Sequence, residues 1–127
     1  MSVTTAQQVH LECRRAELVR WFVHRADDEF TVALVGEIDI STEATLGTAL
    51  AEVVGMKPRR ITIDLAEVSY LDSSGVRCLL NAARLAAVHG SEMVVSRPSG
   101  IVLRVLEICG VDHLLSSGSD WDHSEAQ

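Results

Sequence analysis

Two adjacent serines, Ser73 and Ser74, stand between Asp72 and Gly75 in the segment YLDSSGVRCLL, residues 70–80. A serine hydroxyl can act as a nucleophile, carry a phosphate, or cap the unpaired N–H groups at the start of a helix. A phosphate adds a charge of about −1.5 to −2 at neutral pH, and a helix N-terminus tolerates such an anion. Phosphate on Ser74 would therefore leave the fold intact and change an external contact. For Ser73 the plainer interpretation is a helix cap, because serine is favoured there.

The residues around the two serines do not fit a hydrolase. A nucleophile elbow has the pattern G-x-S-x-G, but Asp72 stands two positions before Ser74, and Leu71 two positions before Ser73. The histidines show no ordered pattern of triad partners, and no G-x-x-x-x-G-K-[ST] phosphate loop is present. We therefore predict no catalytic residues and no enzymatic activity, and we expect neither a metal nor a cofactor.

The hydrophobic pattern predicts the elements that position this segment. Apolar residues alternate in some stretches, as in strands, and recur at i, i+3, i+4 and i+7 in others, as on one face of a helix. The predicted order is ββαβαβα, with strands at 18–25, 30–38, about 60–65 and 91–96, and helices that begin after Ser41 or Thr42, near Ser74 and near 101. Val111 to Leu115 are predicted to form a last short strand.

The connections between these elements predict an α/β fold with a mixed sheet. A short acidic turn joins the first two strands, which predicts a leading antiparallel hairpin. Helices separate the later strands, which therefore pair in parallel through right-handed crossovers. We expect the helices to pack mainly on one face of the sheet. The domain is assigned to 18–115, with a flexible or weakly helical N-terminal extension at 1–17 and a polar C-terminal tail at 116–127.

Composition excludes several classes of function. The formal net charge is −7, which argues against a nucleic-acid binder that neutralises phosphates. No apolar run approaches the roughly 20 residues of a membrane helix, and the N-terminus lacks the apolar core of a secretory signal. The three cysteines are far apart, with no CxxC pair, so we predict no zinc site, two buried thiols at Cys78 and Cys109, and a reducing cytoplasmic location.

Three segments carry a family resemblance: VALVGEIDISTEATLGTALAEVV, RRITIDLAEVSYLDSSGVRCLLNAARLAAVHG and SEMVVSRPSGIVLRVLEICGVDHLL. Together they resemble the STAS domain, specifically the bacterial anti-sigma factor antagonists, over about residues 18–115. The resemblance implies a STAS-like fold and a protein that is not an enzyme. Such antagonists bind an anti-sigma factor that is also a serine kinase, and this releases a sigma factor.

The same resemblance implies a phosphorylation switch. The kinase would phosphorylate the second serine of the D-S-S-G motif, Ser74, and a PP2C-type phosphatase would remove the phosphate. The helix that starts near Ser74, with loops 36–42 and 67–73, forms the predicted partner surface, and Val76 is predicted to lie exposed there. The predicted partner-binding residues are Asp39, Asp72, Ser73, Gly75, Val76 and Arg77.

Arg77 departs from some family members, which have a small residue at this position. It could alter partner choice, pair with an introduced phosphate, or be a solvated helix residue. Other functions within the family stay open: an accessory subunit of a transport complex, a stressosome-type scaffold component, or nucleotide binding, although no phosphate loop is visible. The sequence also leaves a homodimer open.

Overall fold

The computed structural model describes residues 8–10 and 19–114. In this part of the chain five strands form one sheet: β1 (Gln8–His10), β2 (Val19–Ala26), β3 (Glu29–Ile38), β4 (Arg60–Leu71) and β5 (Glu92–Ser96). The helices are α1 (Glu43–Gly55), α2 (Ser73–Val88) and α3 (Gly100–Ile108), and a short 3₁₀ helix follows at Asp112–Leu114.

The strands lie in the sheet in their order along the chain. β2 pairs with β1 and with β3 in antiparallel orientation, whereas β3–β4 and β4–β5 are parallel pairs. Each parallel connection passes through a helix, because two parallel neighbours need a crossover that returns the chain to the end of the sheet where the first strand began. The mixed sheet predicted from the sequence, with its leading hairpin and later parallel strands, is confirmed.

One face of the sheet is buried against the helices. Along β3, Phe30, Val32 and Leu34 are almost fully buried, whereas the alternate residues Thr31 and Ala33 are only partly so. This period of two is the pattern of a strand with one covered face. The helix residues that complete the core against it include Leu46, Leu50, Leu79, Val102 and Leu106. Burial of these side chains is the main stabilising contribution to the fold.

Two strands differ from the prediction. The segment predicted as a flexible or weakly helical extension contains β1, whose residues pair with β2 from Gln8↔Val23 to His10↔Trp21. β4 continues to Leu71 instead of ending near residue 65, because β3 offers it a partner as far as Ile38↔Leu71. Bulges in this pairing, between Ala33 and Val35 and between Gly36 and Glu37, interrupt the simple alternation of apolar and polar residues that predicts a strand.

The C-terminal part of the domain also differs. Val111–Leu115 was predicted as a strand, but residues 112–114 form a 3₁₀ turn in which the Leu114 N–H donates to the Val111 carbonyl over 3.0 Å. Cys109 is exposed, not buried as predicted, because α3 ends at Ile108 and the chain turns away at Gly110. Cys78 is buried, as predicted. The predictions for the rest of 1–17 and for the tail 116–127 lie outside the described residues.

Candidate functional site

The predicted site lies where β3 and β4 end side by side. Ile38 and Leu71 are paired at the ends of these strands, and the Asp72 N–H donates to the Ile38 carbonyl over 3.2 Å. The predicted loops 36–42 and 67–73 are shorter than expected, because only residues 39–42 and Asp72 lie between a strand and a helix. The starts of α1 and α2 are therefore neighbours at the carboxyl edge of the sheet. Binding sites of α/β folds usually form at this edge.

Asp72 caps helix α2. Its backbone is extended, and its Oδ1 accepts hydrogen bonds from the N–H groups of Ser74 (2.9 Å) and Gly75 (3.1 Å). The carboxylate also places negative charge at the positive end of the helix dipole. The interpretation of Ser73 as the cap is therefore wrong, because the preceding residue satisfies these donors and leaves both serine hydroxyls out of the capping.

The two serines differ in exposure. Ser73 is exposed, whereas Ser74 keeps only 7% of its surface accessible. Neither hydroxyl makes a hydrogen bond to another of the described residues. A buried hydroxyl usually finds a partner, and an unpaired one needs a structural or functional explanation. Ser74 is therefore the more unusual of the two.

Gly75 permits the close approach of α2 to the ends of the strands. A Cβ atom at this position would lie 2.4 Å from Leu71 Cδ1, 2.9 Å from Ile38 Cγ2 and 3.0 Å from the Ile38 carbonyl oxygen. The missing side chain of Gly75 therefore leaves room for the backbone of β3. Gly75 is buried. It therefore influences a partner surface by setting the position of α2, not by direct contact.

Val76 does not lie on the surface as predicted. It is 5% exposed and belongs to the hydrophobic core. Three other apolar residues are exposed near the carboxyl ends of the parallel strands: Ile40 (71%), Tyr70 (46%) and Ile101 (65%). None of the three is among the predicted partner-binding residues. The exposure of Ile40 can be predicted from its place in a polar loop between Asp39 and Ser41, where a large apolar side chain has no core to enter.

Asp39 orders the loop before α1. Its Oδ1 accepts from the Ser41 N–H (2.9 Å) and the Ser41 hydroxyl (2.7 Å). Thr42, the residue before the helix, is fully buried, and its hydroxyl bonds the Asp39 backbone instead of a helix N–H. Asp39, one of the predicted partner-binding residues, therefore shapes the loop that carries Ile40.

Arg77 joins α2 to α1. Its Nε and a terminal nitrogen donate to the two carboxylate oxygens of Glu43 over 3.2 and 3.3 Å. The hydrogen bond to Glu43 and the charge of Glu43 raise the pKa of the Arg77 guanidinium, and Asp72 adds a smaller effect in the same direction. Arg77 is thus exposed, as a solvated helix residue would be, but paired with a residue 34 positions away along the chain.

A shallow apolar groove of about 430 Å³ lies between α1 and α2. Ile40, Glu43 and Gly47 line one side, and Cys78, Ala82 and Leu85 the other. Burial, and secondarily the charge of Glu43, raise the pKa of the Cys78 thiol to about 11. The thiol is therefore protonated at neutral pH and is a poor nucleophile.

Within 8–10 and 19–114, no group of three His, Cys, Asp or Glu side chains is arranged to hold a metal ion. In the same ranges no helix has the length and apolar character needed to cross a membrane.

Comparison with known proteins identifies relatives of this chain. The family model described as Mlab, STAS domain, matches residues 21–116. The anti-sigma-B factor antagonist of Listeria monocytogenes is 34% identical over 92 residues, which cover 72% of this chain and 80% of that protein. The anti-sigma-F factor antagonist RsfB of Mycobacterium tuberculosis is 33% identical over 81 residues, which cover 64% of this chain and 66% of RsfB.

A solved structure agrees with these relatives. The crystal structure of an anti-sigma factor antagonist from Mycobacterium paratuberculosis superimposes with a TM-score of 0.70 at 26% identity, covering 76% of this chain and 82% of that one. The fold, the family model and the sequence relatives therefore lead to the same assignment: this chain belongs to the STAS domain family.

Proposed function

We propose that this chain is an anti-sigma factor antagonist, which binds an anti-sigma factor and thereby releases a sigma factor, and that phosphorylation of Ser74 switches it off. The relatives named above support the first part. One structural observation carries the second: Ser74 stands at the first turn of α2 with a hydroxyl that no described residue binds. The function places the chain in the cytoplasm, where sigma factors meet RNA polymerase.

The switch needs two group-transfer steps. In the first, the Ser74 oxygen attacks the terminal phosphorus of a nucleoside triphosphate held by the kinase. The new O–P bond replaces the bond to the bridging oxygen, the nucleoside diphosphate leaves, and the hydroxyl proton passes to a base on the kinase. In the second, a PP2C-type phosphatase directs water to the phosphorus, inorganic phosphate leaves, and the serine oxygen regains a proton.

The partner surface is proposed to surround Ser74 at the carboxyl edge of the sheet. Ile40, Tyr70 and Ile101 supply exposed apolar area there, and Asp39 and Asp72 supply polar neighbours. An apolar centre with a polar rim is the usual anatomy of a protein interface. A phosphate dianion in such an interface would meet like charge or be buried unpaired, and a loss of about 3 kcal/mol weakens binding more than a hundredfold.

Exposure alone would favour Ser73 as the modified residue, because Ser74 retains only 7% of its surface. The choice of Ser74 rests on the match to the D-S-S-G motif and on its hydroxyl, to which no residue within 8–10 and 19–114 forms a hydrogen bond. Peptide mapping of protein from the native cell separates the two sites, because a phosphate adds about 80 Da to fragment ions that contain the modified serine.

The direct experiment compares binding of serine variants to each anti-sigma factor kinase of the source organism, purified singly and immobilised. Ser74→Ala should bind as wild type does, and Ser74→Glu should bind at least a hundredfold more weakly. Ala87→Glu adds the same charge at the exposed far end of α2 and serves as the matched control. Far-UV circular dichroism of every variant confirms that the fold is retained.

Three results would contradict the proposal. If Ser74→Glu binds as tightly as Ser74→Ala, the charge switch is wrong. If no anti-sigma factor binds and the chain instead co-purifies with a membrane permease, it is a transport subunit. If it elutes as a very large assembly, it is a scaffold component.

A further inference from the structure

The ion pair between Arg77 and Glu43 lies beside the proposed modification site. Glu43 is the first residue of α1 and contacts two successive residues of α2: its carboxylate accepts from Arg77, and its backbone carbonyl lies 3.8 Å from Cys78 Sγ. Ser74 precedes these residues by three and four positions. In a helix those spacings place side chains on the same face, one turn apart. Glu43 and Arg77 therefore both border the side of α2 that carries Ser74.

A phosphate on Ser74 would compete with Glu43 for Arg77. Two further carboxylates lie at this end, those of Asp72, which caps α2, and of Asp39, in the adjacent loop. Among these anions, Arg77 supplies a positive charge. A phosphate carries up to two negative charges and three acceptor oxygens, whereas a carboxylate carries one charge. Guanidinium groups bind phosphate in the same bidentate manner as they bind carboxylate.

We propose that phosphorylation of Ser74 moves the Arg77 guanidinium from Glu43 to the phosphate, so that Arg77 is the internal counter-ion of the phosphorylated state. This inference rests on the proposed modification of Ser74. The exchange breaks the ion pair between Arg77 of α2 and Glu43 of α1. It leaves the Glu43 carboxylate without this partner at the mouth of the groove between the two helices. It also partly neutralises the charge that the phosphate presents to its surroundings.

The test uses the full-length chain with phosphoserine encoded genetically at position 74, so that no kinase is required. The second ionisation of the phosphate is followed by ³¹P NMR against pH. Its pKa is ordinarily about 6, and a nearby guanidinium should hold it lower. Arg77→Gln should raise this pKa by about 0.5 relative to wild type, a value reduced for solvent screening.

Arg84→Gln is the matched control, because it removes the same charge from an exposed position on the same helix. Seven residues separate it from Arg77, about 10 Å along the axis, which is roughly one Debye length. It should leave the phosphate pKa within error of wild type. If Arg77→Gln and Arg84→Gln give the same pKa, Arg77 does not bind the phosphate and the inference is refuted.

A second measurement reads the arginine directly. The Arg77 Nε–H donates to Glu43 in the unmodified chain, and its ¹⁵N–¹H signal is assigned by its loss in Arg77→Gln. Encoding phosphoserine should shift this signal and make its position follow the phosphate titration; an unshifted signal would overturn the exchange. These NMR results are independent of the proposed function. If the charge switch is wrong, the phosphorylated chain will still bind an anti-sigma factor tightly, whatever the NMR signals show.

Discussion

Replacement of Gly75 by alanine tests whether α2 is held against the strand ends by the lack of a side chain. The new methyl group would lie 2.4 Å from Leu71 Cδ1 and 3.0 Å from the Ile38 carbonyl oxygen. The leucine methyl can rotate away, but the carbonyl belongs to the backbone of β3. The start of α2 must therefore move outward, together with the cap that Asp72 provides.

The expected size of the effect follows from two opposing contributions. Overpacking of a tight core costs about 1–3 kcal/mol. Alanine is better than glycine in a helix interior by up to about 1 kcal/mol, and by less in the first turn, where Gly75 lies. The net loss of unfolding free energy is about 1–2 kcal/mol, which for a domain of this size lowers Tm by roughly 5–15 °C.

Thermal unfolding followed by far-UV circular dichroism measures this loss, with Gly47→Ala as the control. Gly47 lies inside α1, and an added Cβ would meet only Cys78 Sγ, at an ordinary contact distance of 3.9 Å. The same substitution there should raise stability by about 0.5–1 kcal/mol, since alanine has the smaller backbone entropy loss. A Gly75→Ala protein that melts at or above the wild-type temperature would refute the steric argument.

Two further predictions concern the cap and the buried thiol. Asp72→Ala removes the acceptor of two helix N–H groups and should lower the unfolding free energy by about 1 kcal/mol in urea titrations; an unchanged midpoint would mean that water replaces the cap. Cys78, with its pKa raised to about 11 from 9.0, should resist alkylation near neutral pH while exposed Cys109 reacts, as peptide mass mapping can show. Because folding favours the protonated thiol, the contribution of Cys78 to stability is full below pH 9.0, falls as pH rises towards about 11, and levels off above that. Across this window the unfolding midpoint should therefore fall more in wild type than in Cys78→Ser, and an equal fall in both would contradict the raised pKa.

The local pattern of the sequence was sufficient for the order of elements from β2 to α3 and for the type of sheet. Alternation along Phe30, Val32 and Leu34 identifies a half-buried strand, and helical spacing around Leu46 and Leu50 identifies α1, because burial on one face imposes these periods. The D-S-S-G motif indicated the candidate site, since a strand, a polar turn and a helix start are all local features. The same residues carried the family resemblance.

Other properties depend on contacts between distant parts of the chain, and local pattern does not encode them. β4 extends to Leu71 because β3 is there to pair with it, and Val76 is buried because the core closes over the first turn of α2. The pairing of Arg77 with Glu43, 34 residues away, exists only once α1 packs against α2. Periodicity determines which face of an element is apolar, whereas the tertiary structure decides how far each strand pairs, which side chains are covered and which charges meet.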